Sequence, residues 1–69
     1  MDQIKIGKFI AQQRKEQNLT QRELGEKLGV SYKAVSKWET GASEPSTTNL
    51  LALAKLYGVS AGELLRDVE

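Results

Sequence analysis

The chain is punctuated by a short grammar that repeats along its length: a Ser or Thr, a stretch of helix formers carrying leucines or other apolar residues, then a Gly. Thr20 opens such a stretch that Gly29 closes, Ser31 opens one that Gly41 closes, and Ser46 opens one that Gly58 closes. Hydroxyl side chains accept the first free amides of a helix, and Gly adopts the left-handed backbone that terminates one. No segment alternates polar and apolar residues with period two, so the spacing predicts helices throughout. Because each stop lies so close to the next start, the helices must be joined by tight corners.

The apolar positions give each element its face. From Ile4 to Gln17, Ile6, Phe9 and Ile10 share one stripe that Gln13 and Arg14 extend, with Asp2 as a candidate cap. Thr20-Gln21-Arg22-Glu23 has the form of a capping box, and Leu24 and Leu28 give a second helix over about 21–28. A third helix is expected over about 32–40, followed by the loop Ala42-Ser43-Glu44-Pro45. The fourth, capped by Ser46, carries a wide band of Leu50, Leu51, Leu53, Ala54 and Tyr57. Ser60-Ala61-Gly62-Glu63 forms a second capping box that opens a short fifth helix with Leu64 and Leu65. The expectation is an all-α, compact five-helix bundle in one domain, residues 1–69, with its core over about 4–66. A chain of 69 residues buries only about 60% of its unfolded surface, so there is room for one small core.

Two absences narrow the chemistry. Cys and His both number 0, which removes disulfides, thiolate nucleophiles, imidazole acid-base catalysis and zinc sites built on those residues. The close acids Glu23 and Glu26 sit near a helix start, where capping and the helix dipole account for them. No catalytic residue, metal, cofactor or small-molecule substrate is therefore expected. No apolar run approaches the roughly 18 residues of a membrane span, and Met1-Asp2-Gln3 lacks the basic start of a signal peptide. A cytoplasmic location is expected. Ten Lys and Arg against nine Asp and Glu leave a net charge of +1, so any argument for a polyanionic partner must come from how charge is distributed.

That distribution is uneven on the third helix. Tyr32, Ser36, Thr40, Lys33 and Lys37 fall within an arc of about 140°, while Ala34, Trp38, Ser31 and Val35 occupy the opposite side. The polar arc carries two cations, two hydroxyls and a phenol, with Glu39 only at its edge. Such a surface suits phosphates and base edges, although any bundle helix has one polar face. The corner before it adds weight. A helix-turn-helix needs a small residue where its helices cross, a turn Gly about four residues later and a branched anchor in the second helix; Gly25, Gly29 and Val35 are so placed. Gly25 otherwise costs roughly 0.5–1 kcal/mol relative to Ala within a helix. Trp38, on the inward arc, and Tyr57, on the fourth helix's band, are expected in the core or at its rim. Lys5, Lys8, Arg14 and Lys15 read as the solvated side of the first helix.

Taken in order, Leu19-Thr20-Gln21-Arg22-Glu23-Leu24, Leu28-Gly29-Val30-Ser31, Val35-Ser36-Lys37-Trp38-Glu39-Thr40-Gly41, Glu44-Pro45-Ser46 and Leu53-Ala54-Lys55 through Gly58-Val59-Ser60 to Leu64-Leu65 closely resemble the Cro/C1-type helix-turn-helix family, also called XRE or HTH_3. The resemblance spans about Ile6 to Leu65. It implies a lambda-repressor-like domain of a bacterial or phage transcriptional regulator, a repressor, whose helices two and three form the helix-turn-helix. The third helix would lie in the major groove of double-stranded DNA.

On the same resemblance, Tyr32, Lys33, Ser36 and Lys37 occupy base-reading positions, and Gln21, Thr40 and Ser43 occupy phosphate-binding positions. Lys33 is the expected guanine reader, since an ammonium can donate to O6 and N7. Arg14 and Glu39 match a pair that ties the first helix to the end of the third. Thr40 and Ala42 stand where the family often has Arg or Lys, which implies a weaker phosphate grip from that loop. Gly25 replaces the more usual Ala. The resemblance also implies a palindromic operator bound by a homodimer. A protein-interaction module of the same fold, such as an antitoxin or a regulator-binding partner, stands as the alternative.

Overall fold

A computed structural model describes residues 2–59, which form four helices: α1 (Gln3–Glu16), α2 (Gln21–Leu28), α3 (Tyr32–Thr40) and α4 (Thr47–Tyr57). The expected fifth helix and its capping box at Ser60–Glu63 lie outside the described residues. Each described helix starts where a side chain accepts its first amides. Asp2 takes those of Ile4 and Lys5 at 2.9 and 3.2 Å, Thr20 that of Glu23, Ser31 that of Ala34 and Ser46 that of Asn49. The Thr20 box is reciprocal, because its own amide donates to the Glu23 carboxylate at 2.9 Å. Gly29, Gly41 and Gly58 end α2, α3 and α4 with φ between 73° and 81°.

α1 ends without a glycine. Asn18 takes the left-handed conformation at φ 58°, and the Leu19 amide reaches back to the Arg14 carbonyl at 3.0 Å. Asn tolerates that conformation better than other non-Gly residues. The turn closes α1 at Glu16, one residue before the boundary that periodicity predicts.

The core is a single cluster of Ile6, Ile10, Leu24, Val35, Trp38, Leu53 and Tyr57, with Phe9, Leu19, Leu28 and Val30 half-buried around it. Full burial of such side chains contributes about 1.5–3 kcal/mol each. α3 lies between α1 and α2, and α4 closes the cluster from the α2 side. Tyr57 stays inside because its hydroxyl donates to the Ile10 carbonyl at 3.2 Å; burial pushes its ionisation well above the ordinary phenol range.

One expectation fails on α4. Leu53, Ala54 and Tyr57 are buried and Leu50 is half-buried, but Leu51 is 55% exposed. It stands about 100° around the helix from Leu50, beyond the side that meets the cluster.

Candidate nucleic-acid interface

The corner between α2 and α3 depends on Gly25. Its carbonyl accepts the amides of both Gly29 and Val30, so the chain doubles back across its own helix. A Cβ on Gly25 would stand 2.6 Å from the Val30 carbonyl oxygen and 3.3 Å from the Tyr32 nitrogen. This is the close approach expected from a glycine in mid-helix. Gly29 differs: a Cβ there meets nothing within 4 Å, so only its φ of 74° demands glycine.

α3 is two-sided, as its sequence predicts. Val35 and Trp38 are buried, while Tyr32, Lys33, Lys37 and Thr40 are exposed and Ser36 is half-buried. The indole of Trp38 thus belongs to the core. Beyond α3 the chain folds over its last turn: the Ala42 and Ser43 amides donate to the Lys37 carbonyl at 2.9 and 3.3 Å, and the Thr40 hydroxyl donates to the same oxygen at 3.2 Å. That contact brings Ser43 beside the end of α3, and Lys37 itself is exposed.

Gln21 is brought to the same side by a polar cluster at three helix ends. The Glu39 carboxylate accepts Arg14 Nε at 2.6 Å, Arg14 Nη2 at 3.1 Å and Gln21 Nε2 at 3.0 Å, while Arg14 Nη1 donates to the Leu19 carbonyl at 2.7 Å. The Arg14 and Glu39 side chains are only 12% and 8% exposed. Pairing with Glu39 raises the Arg14 guanidinium further above its ordinary value, so the cation is fixed. Arg14 therefore departs from the solvated side of α1, where Lys5, Lys8 and Lys15 are exposed. It is instead the partner of Glu39.

The start of α2 leaves donors open. The Glu23 and Leu24 amides bond to Thr20, whereas among the described residues those of Gln21 and Arg22 have no protein acceptor. Two open amides at the positive end of a helix suit an anion. Next to them the Arg22 guanidinium lies over the Tyr32 ring, 4.8 Å from its centroid. Sequence spacing does not reveal this contact, since it crosses the corner between two helices. At the α1–α3 crossing, Gly7 is also a feature that periodicity passes over. A Cβ there would collide with the Trp38 carbonyl oxygen and stand 2.9 Å from that of Glu39. A glycine inside the stripe of Ile6 and Ile10 was the available signal.

A family model described as helix-turn-helix, HTH_3, matches residues 10–64. The chain belongs to the Cro/C1-type helix-turn-helix family. Among its family relatives, the HTH-type transcriptional activator BcrR of Enterococcus faecalis is 42% identical over 96% of this chain and 32% of its own length. Repressor protein C2 of Salmonella phage P22 is 41% identical over 88% of this chain and 28% of its own. The chain spans between 28% and 54% of the length of the curated family relatives it matches. Among solved structures, the P22 c2 repressor in complex with a synthetic operator superposes with a TM-score of 0.79, at 41% identity over 86% of this chain and 89% of that one.

Among the described residues, no helix of this helix-turn-helix domain is long and apolar enough to cross a membrane.

Proposed function

We propose that this chain is the DNA-reading domain of a transcriptional regulator and binds duplex DNA sequence-specifically, with α3 in the major groove. The observation that carries the reading is the outward face of α3. Tyr32, Lys33, Ser36 and Lys37 stand there without a central acid, beside the open amides that begin α2. The likeness to a repressor solved on its operator supports it.

Lys33 donates to guanine, and Tyr32, Ser36 and Lys37 complete the base-reading set. Gln21 and Ser43 bind phosphates on either side of the groove, and Thr40 joins them by turning its proton away from the Lys37 carbonyl. With so few cations on this face, one copy binds weakly. Useful affinity follows from a homodimer on a palindromic operator with half-sites about 34 Å apart. The relatives include one named for activation and one for repression, so the DNA-reading module is what they share. Repression follows where the operator overlaps a promoter, and a cytoplasmic location gives access to the DNA.

The test is selection of duplexes from a random pool, followed by titration at low and moderate salt. A selected motif with paired half-sites is expected. Affinity should fall with a log-log slope of about −0.9 per phosphate neutralised. Absence of duplex binding at low salt would overturn the reading in favour of a protein-interaction module.

A further inference from the structure

Arg22 is a cation in the first turn of α2, the position where a helix dipole disfavours positive charge. Glu23 shares that turn but is turned back onto Thr20, and no acid forms an ion pair with Arg22 among the described residues: the ion pair there is Arg14 with Glu39, and no hydrogen bond from Arg22 forms within them. Its one specific contact among the described residues is the Tyr32 ring at 4.8 Å. A guanidinium held against a ring keeps its N–H donors at its edges, in one plane, where they can still meet an anion. The ring beneath it belongs to the first residue of α3, itself 41% exposed. The stack therefore joins an unpaired planar donor on α2 to a base-reading position on α3.

We propose that Arg22 and Tyr32 act as one recognition element, in which the ring-held guanidinium grips a backbone phosphate and thereby fixes Tyr32 over the neighbouring base. Arg22 is then a specificity-determining residue, acting on sequence through the placement of Tyr32. The inference rests on the DNA-binding reading above. It separates Arg22 from Gln21, whose contact contributes alike to all sequences.

The experiment measures affinity, salt slope and base preference of the 69-residue chain and its Arg22→Ala, Arg22→Lys, Tyr32→Ala and doubly substituted forms, on the duplex selected by the unsubstituted chain. Thermal melting confirms that each variant folds. Arg22→Ala is expected to lower affinity on the order of tenfold. Its salt slope should shrink by about one phosphate, and preference should relax at the same base position that Tyr32→Ala relaxes. The double substitution should cost less than the two single losses combined. Arg22→Lys, which keeps charge without the planar stack, should retain the slope and still lose the preference. If Arg22→Ala weakens all sequences equally, or changes nothing, the coupled element is overturned while the DNA-binding reading stands. If the unsubstituted chain binds no duplex, both fall.

Discussion

The polar cluster at the helix ends and the outward face of α3 are built from similar residue types and end in opposite states. In the cluster, Glu39 accepts three N–H donors and Arg14 spends its remaining edge on the Leu19 carbonyl. On the face, Lys33 and Lys37 are exposed and have no acidic partner among the described residues. The first region uses charge to fix three helix ends relative to one another. The second keeps its donors available at positions the first has fixed. Substitutions should accordingly separate into those that move stability and those that move binding.

The largest effect should come from breaking the cluster. Glu39→Ala leaves a largely buried guanidinium without its anion and is expected to destabilise the fold by about 3 kcal/mol, read from denaturant midpoints at constant m-value. An unchanged midpoint would show that the pair is ornamental. Gly7→Ala should follow at about 2 kcal/mol, because its Cβ can be admitted only by moving α1 away from the α3 backbone. Melting by circular dichroism checks it, and a neutral result would mean that the crossing yields freely.

On the reading face the order reverses. Lys33→Ala should leave melting unaltered, lower affinity for the selected operator by about 1–3 kcal/mol and relax one base position. Retained affinity and footprint would remove Lys33 from the readout. Gln21→Ala joins the regions, and it should weaken all duplexes alike with little change in preference.

The smallest effect is a pH dependence at the start of α2. The Thr20 amide and hydroxyl hold the Glu23 carboxyl below its usual range. A group with a depressed folded pKa contributes stability above its unfolded value, and that contribution is lost as pH falls through the folded one. Stability should therefore decline in acid below about pH 4, and Glu23→Gln should flatten that part of the profile. Identical acid profiles for the two proteins would count against the capping carboxylate.

Much of this division was legible in the sequence because it rests on local chemistry. Thr20, Ser31 and Ser46 marked helix starts, the stopping glycines marked ends, and 100° steps along α3 put Trp38 inside and Lys33 outside. Gly25 could be read because its helical cost demanded a reason. The pair of Arg14 and Glu39 came through family resemblance. What escaped depends on contacts between residues far apart in the chain: Gly7 against α3, the Gln21 amide on Glu39, and the Arg22 stack. The exposure of Leu51 is not legible because an apolar band does not announce which of its edges the core will reach. Asn18 carries no clear stop signal, because its left-handed turn uses no glycine.

The Gln21 contact has a thermodynamic consequence. Glu39 ties α1 to α3 and also holds the Gln21 amide proposed above as a phosphate anchor, so on that reading one carboxylate serves folding and anchoring together. Free energies that share a residue are linked: whatever secures Glu39 presents Gln21 better, and an anion held on Gln21 in turn favours the packed arrangement of α1, α2 and α3. The duplex is then a stabilising ligand of the bundle, and the cohesion of the small core becomes part of the affinity for DNA.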